Sequence, residues 1–228
     1  ENYERRFIMT FPNETLPKGR KQKTTALYDR FVNQGAVMGD SFGLENVLWF
    51  ANNKEDAHEE PTIKRSRSHD YVSKEVINVR ENVGLIEVAN FSKHEFKGPD
   101  ARKFLDHIMA GRLPKPGRIS LSPMLSYRGK LCGDLTVACL DENEFMVFGS
   151  GAAQEMHRRW FESHLDKFNL NYKNRSDEFH GLSIAGPNSR KVLEKIVRDD
   201  VSNEKFKFRD SRRMFVGGVP AIINRISF

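Results

Sequence analysis

From Val83 to the end of the chain, short apolar runs alternate with helix-length amphipathic stretches. VGLIEVA (83–89) and SKHEFKG (92–98) read as strands. PDARKFLDHIMAG (99–111) reads as a helix with Pro99 in its first turn, Phe104, Leu105 and Ile108 turned inward, and Gly111 just past its end. RISLSPML (118–125), GDLTVACL (133–140) and EFMVFG (144–149) predict three more strands, the last two joined by a turn at Asp141-Glu142-Asn143, which makes a β-meander. AAQEMHRRWFESHLDKF (152–168) places Met156, Trp160, Phe161, Leu165 and Phe168 on one helical stripe, the pattern of a core-facing helix. RMFVGG (213–218) and VPAIINRISF (219–228) predict a last pair of strands.

Within this region the chain repeats itself. KGPDARKFLDHI (97–108) and AGPNSRKVLEKI (185–196) share Gly, Pro, Arg, Lys, Leu and Ile in register, each after a strand-like run. Glycine permits a sharp exit from the strand, and proline presets the first helical turn while giving up an amide that needs no partner. The repeat predicts two related strand-helix lobes. Upstream the pattern is weaker. The first 25 residues are polar and basic, with Pro12 and Pro17, and read as a connector. TALYDRFVNQGAV (25–37) has Leu27, Phe31 and Val32 at helical spacing and stops at Gly35. GLENVLWFA (43–51) carries a Trp49–Phe50 pair of core type, and 52–73, charged and nearly free of aliphatics, reads as a long surface loop.

One residue breaks the expected pattern. In GDLTVACL, Leu135, Val137 and Cys139 alternate with Asp134, Thr136 and Ala138, so an acid sits on one face of an apparently buried strand. Burying a carboxylate without partners is costly, so Asp134 is either a paired structural acid or a group kept for chemistry. The two cysteines, Cys132 and Cys139, are seven apart on this strand, an odd spacing that points them to opposite faces as free thiols of a reducing compartment. The seven histidines form no ligand-spaced cluster, so no metal is expected.

Charge and hydropathy narrow the class. No run of about 18 apolar residues and no apolar stretch after a basic start is present, so neither a membrane span nor a secretory signal is read. The net charge of +6 collects in KGRKQK (18–23), KRSR (64–67) and RDSRR (209–213). These runs are short and lack interleaved aromatics, which favours solvated surface over nucleic-acid binding and leaves room for a small anionic ligand. No G-x-G-x-x-G follows a strand and no P-loop occurs. GSGA (149–152) lacks the spacing of a nucleophile elbow and reads as a strand-to-helix turn, although its amides could receive an anion.

Several segments taken together carry a family resemblance. GRISLSPMLSYRGKLCGDLTVACL, FMVFGSGAAQEMHRRWFESHL, GLSIAGPNSRKVL and VGGVPAIINRISF resemble, in order and spacing, the tetrahydrofolate-binding, T-protein-like (aminomethyltransferase) module of dimethylglycine and sarcosine dehydrogenases. ALYDRFVNQGAVMGDSFGLENVLWFA is similar to the segment that joins this module to the flavin-bearing part of those enzymes. The resemblance covers most of 25–228. It implies an α+β fold of two related strand-helix lobes with mostly antiparallel sheets. Residues 1–74 are then a connector with one helix, and 75–228 are the N-terminal portion of the folate-binding module, truncated at its C-terminal end. The implied function is transfer of a one-carbon unit from an oxidised N-methyl amine to tetrahydrofolate, giving 5,10-methylenetetrahydrofolate.

The resemblance also assigns residues. An aspartate at the position of Asp134 lies in the family against the reactive amines of the folate, where it orients or deprotonates the attacking nitrogen, chemistry that a positioned carboxylate performs. Phe91, Leu121 and Phe148 fall on apolar wall positions for the pterin, with ordinary core as the alternative, and Ser150 on a polar contact. Ser150 stands where glycine-cleavage proteins usually have Asn, and Lys130 replaces one of two consecutive glycines before the strand. The family's next segment, with a glutamate that reads the pterin edge, would follow Phe228. A chain that opens on ENYERRFIMTFPNE and stops on INRISF is accordingly expected to be a piece of something longer. FAD is expected only on a domain or partner outside the chain. Expected partners are an amine-derived one-carbon donor, a flavin dehydrogenase domain and the remaining C-terminal half, with no nucleic acid and no membrane. The expected compartment is the cytoplasm or, in a eukaryote, the mitochondrial matrix. The alternatives are a demethylase that moves a methyl group to tetrahydrofolate and a non-catalytic scaffold or interaction module.

Overall fold

The structure, a computed structural model, describes residues 3–11, 14 and 17–226; Pro12 and the last two residues of the final expected strand lie outside them. The elements are α1 (Tyr28–Asn33), β1 (Ala36–Ser41), β2 (Leu44–Phe50), α2 (Ser68–Glu81), β3 (Gly84–Glu87), β4 (Ser92–Lys97), α3 (Ala101–Ile108), β5 (Arg118–Leu125), β6 (Leu131–Asp141), β7 (Glu144–Gly149), α4 (Gln154–Glu162), β8 (Asn171–Asn174), β9 (Leu182–Ala185), α5 (Ser189–Ile196), β10 (Ser211–Val216) and β11 (Val219–Asn224). The fold is α+β, with antiparallel pairing in the β1–β2 and β10–β11 hairpins and throughout the sheet formed by β4 to β8. The chain divides into two compact units, Glu1–Glu87 with Ser183–Pro187 and Val88–Leu182 with Asn188–Phe228.

In the first unit, β1 and β2 form a hairpin, and Val37, Trp49 and Ala51 make a small core with Tyr71 and Val72 of α2. The stretch 52–73 is not one long loop: α2 starts at Ser68, and residue 74, where the sequence suggests that the connector ends, lies inside it. The preceding residues are tied down as well. Glu59 accepts a bond from Trp49 Nε1 at 2.8 Å, and Asp56 accepts from the Tyr71 hydroxyl at 2.6 Å and from Arg67 at 2.7 Å. The basic run at 18–23 is partly structural, because Arg20 donates to the fully buried Glu45 through Nε at 2.7 Å and Nη2 at 2.5 Å. β9 pairs with β3 in this unit.

The second unit is built on a five-stranded sheet in the order β5-β6-β7-β4-β8. One face carries Met124, Leu135, Val137, Cys139, Phe145, Val147 and Phe96, packed against Ala101, Phe104, Leu105 and Ile108 of α3 and Phe161 of α4. On the other face Ile119, Ala138 and Met146 pack with Phe148, Phe179 and Ile222 of β11. A third cluster, Val197, Val201, Phe206 and Met214, gathers around Leu193 of α5 and Ile223. The two repeat copies share local geometry. Gly98 and Gly186 have φ of +144° and +111°, the following Asp100 and Asn188 have φ of −102° and −96°, and each helix is eight residues long. Each also ends on an isolated bridge to a later strand, Met109 with Met124 and Val197 with Val216.

Two expectations change here. The segment 152–168 is not one helix: α4 stops at Glu162, and a short 3₁₀ turn follows at Leu165–Lys167. Met156 points outward while the neighbouring His157 is buried with Phe161, because the two lie four residues apart on the inward side of α4. The cysteines do not face opposite ways either. Leu125 pairs with Leu131 and Met124 with Gly133, so Cys132 is the extra residue of a β-bulge, and both Cys132 and Cys139 pack against the same core.

Candidate functional site

The sheet face away from α3 and α4 is organised in rows. Leu121, Thr136, Phe148 and Lys93 are directly opposed across β5, β6, β7 and β4 and therefore point to one side. Asp134 lies two residues before Thr136 and Ser150 two residues after Phe148, so alternation brings both to that side as well. Four of the five residues singled out from the sequence, Phe91, Asp134, Phe148 and Ser150, line one open cleft of about 230 Å³ together with Asn90 and Thr136. Leu121 does not line it. It shares the face but sits on the edge strand β5, one row position beyond Thr136, and is 64% exposed.

Asp134 is exposed, so the tension of a buried, unpaired acid does not arise. Its neighbours on the strand explain why. Leu135 and Val137 are fully buried on the opposite face, and that burial fixes the register that turns the carboxylate outward. Phe148 is half-buried, joining the packed row of Met146 and Ala138 to the cleft wall. Phe91 precedes β4 on a short turn, and Lys93 holds that turn: its Nζ, on a side chain only 3% exposed, donates to the carbonyls of Phe91 at 2.6 Å and Ala89 at 3.0 Å. From the other side the turn rests on Gly151, where a Cβ would fall 1.9 Å from the Asn90 carbonyl oxygen. The second wall is therefore clamped, as a binding surface on a loop must be.

Beneath the cleft the groups are neutral and buried. His94 is held down to about 4, chiefly by burial and then by the nearby His157. His157 is also lowered, by burial, against the opposing effect of its bond to the Cys132 carbonyl. Thr136 could have been found by carrying the alternation of Asp134 one step further. Asn90 and Lys93 carried no sequence signal, because a lysine on a short strand reads as solvated surface.

The arrangement is an aromatic-walled recess lined by one carboxylate, the hydroxyls of Thr136 and Ser150 and the amide of Asn90. It suits a flat, electron-rich ring whose edge offers N–H groups. The volume falls below the roughly 300–1,000 Å³ of sites that enclose a whole drug-sized ligand, so the cleft has room for a single ring system and not for a whole molecule of that size. Among the described residues, no helix is long and apolar enough to cross a membrane.

Comparison with known proteins identifies the family and the fold. Residues 27–228 match the family described as the GCVT N-terminal domain. Dimethylglycine dehydrogenase, mitochondrial, of Homo sapiens is 32% identical over 232 residues, covering 100% of this chain and 27% of its own length. The Aminomethyltransferase of Thermotoga sp. (strain RQ2) is 26% identical over 208 residues, covering 90% of this chain and 51% of its own. Glycine cleavage system aminomethyltransferase T from Bartonella henselae shares the fold with a TM-score of 0.69 at 20% identity, over 90% of this chain and 50% of that one. The heterotetrameric sarcosine oxidase of Corynebacterium sp. U-96 superposes with a TM-score of 0.51 at 18% identity, over 72% of this chain and 82% of that one. The chain thus spans about a quarter of the mammalian relative and half of the bacterial one. With a match that runs from α1 through β11, the chain belongs to the GCVT N-terminal domain family.

Proposed function

We propose that this chain is the tetrahydrofolate-binding part of a one-carbon transferase of the dimethylglycine dehydrogenase type, which receives the methylene of an oxidised N-methyl amine and forms 5,10-methylenetetrahydrofolate. The observation that carries the reading is the convergence of Asp134, Phe91, Phe148 and Ser150 on one cleft, residues from three separate parts of the sequence. Phe91 and Phe148 sandwich or flank the pterin. Ser150 offers a hydrogen bond to its edge. When bound, tetrahydrofolate supplies the secondary amines that take up the carbon unit; Asp134 accepts the proton that the attacking nitrogen must lose and fixes its orientation. An exposed carboxylate suits this task because the burial of Leu135 and Val137 on the opposite face fixes the strand that carries it. The amine donor, the flavin site that would oxidise it and a matrix or cytoplasmic setting belong to the same proposal.

Calorimetric titration with tetrahydrofolate tests it. Wild type is expected to bind in the micromolar range, and Phe148→Ala to weaken binding by about tenfold or more through lost apolar contact. Asp134→Asn is expected to retain binding and to lose methylene transfer from an N-methyl amine oxidised in the same assay by a flavin amine dehydrogenase, with the spontaneous condensation of free formaldehyde subtracted as background. Absence of heat at millimolar tetrahydrofolate, or unchanged affinity in Phe148→Ala, overturns the assignment of this cleft.

A further inference from the structure

His157 is the most conspicuous group that this chemistry leaves unused. It is 2% exposed on the inward side of α4, and its Nε2 lies 3.2 Å from the Cys132 carbonyl oxygen. A carbonyl only accepts, so Nε2 carries the proton and Nδ1 is bare. Nδ1 has no hydrogen-bond partner among the described residues. A half-satisfied imidazole in an apolar core costs stability that a leucine would not. Two glycines make room for it. A Cβ at Gly133 would fall 2.8 Å from Nε2, and one at Gly149 would fall 3.1 Å from Nδ1. Glycine inside a strand weakens it and marks a close approach. Gly133 immediately precedes Asp134, and Gly149 immediately precedes Ser150, both of which line the cleft on the opposite face.

We propose that His157 is a positioning residue for the cleft, holding the backbone beneath Asp134 and Ser150 at the height that sets the distance between their side chains. Its bond to Cys132 pins the bulge that separates Leu131 from Gly133, and a bulge re-aims the strand that follows it. Asp134 is the second residue after that bulge. The imidazole lies across the sheet from the Asp134 and Ser150 side chains; it acts through the backbones of Gly133 and of Gly149, the latter part of the cleft lining. In its catalytic consequence the inference rests on the folate reading above.

The test pairs His157→Leu, which fills the space without a donor, with His157→Gln, whose amide nitrogen can reach the Cys132 carbonyl. Misplacing a reacting group by about 1 Å can cost on the order of 100-fold in rate, and a smaller displacement correspondingly less, about 10-fold. His157→Leu is therefore expected to lose that much in transfer kcat, with the tetrahydrofolate Kd changed less than about twofold and folding retained, and His157→Gln to recover most of the rate. Full kcat in His157→Leu, or a fall in kcat that merely follows a fall in thermal stability, overturns the proposal. If wild type itself neither binds a folate nor transfers, the folate reading has failed and a second readout decides this one. The carboxyl ¹³C resonance of Asp134 is then expected to shift in His157→Leu and to return in His157→Gln, and an unmoved resonance refutes the positioning role. Should His157→Leu not fold, Gly133→Ala forces the same displacement from the other side and is read in the same two ways.

Discussion

Acid is expected to weaken the second unit well before its carboxylates protonate, and His94 is the cause. Its ring is fully buried on β4, edge-on to Phe161 at 5.0 Å and 6.4 Å from His157, with Nδ1 2.9 Å from the Tyr172 hydroxyl. Burial holds its folded pKa at about 4, against 6.5 when free, and Glu155 offsets this only in part. A depressed value means that the unfolded chain binds the proton first, so stability is whole above pH 6.5 and drains as pH falls toward 4. Between pH 7.5 and pH 5 the linkage removes about 2 kcal/mol, a window that lies above the range in which most carboxylates titrate. Urea unfolding followed by circular dichroism at several pH values measures it. In His94→Asn, where an amide replaces the imidazole and cannot titrate, the absolute stability falls but most of the slope vanishes, leaving only the share of His157. A wild-type midpoint that stays constant from pH 7.5 to 5, or a His94→Asn chain that keeps the whole slope, refutes the reasoning.

Two further outcomes concern other parts of the chain. Arg20→Met leaves the Glu45 carboxylate, 1% exposed, without its guanidinium, and is expected to cost about 3–5 kcal/mol in urea unfolding of the first unit, with Glu45→Gln in the same chain recovering part of it. Iodoacetamide at pH 8 is expected to label Cys132 in the folded chain and Cys139 only after unfolding, because Cys139 is fully buried and its thiol is pushed up by burial; equal labelling rates by mass spectrometry would show that the strand is not packed as described.

Much of the second unit was legible in the sequence for a reason that the structure makes explicit. Gly98 and Gly186 sit at backbone angles that favour glycine, and the proline after each can only open a helix, so the repeat announces its own geometry. The misreadings arose where packing, not local pattern, decides. Helix α2 has no fully buried residue, so SHDYVSKEVINVRE carries hardly any apolar period to read. In α4 hydropathy favoured Met156 over His157, yet a single residue is a turn of 100° around the helix, and Phe161 at the fourth position selects the histidine. The bulge at Cys132 adds one residue to the count, and no period-two argument can register it.

The candidate site shows the same division. Alternation alone put Asp134 on the face opposite Leu135 and Val137, but only the tertiary arrangement reveals that this face is open at one end and covered at the other. Ile222 of β11 and Phe179 pack against Ile119, Ala138 and Met146, while Asp134, Ser150 and Phe91, farther along the same face, remain in contact with solvent. Phe148 stands at the boundary, packed on the covered cluster and lining the cleft. A sheet face that grades from apolar packing to an exposed carboxylate within a few residues needs something to hold its polar end in place. In this chain that support comes from Lys93 gripping the turn beside Phe91 and, on the inference above, from His157 under the two glycines. Neither residue bears a signature in the sequence, because a positioning role is defined by what lies across the sheet rather than by what lies next in the chain.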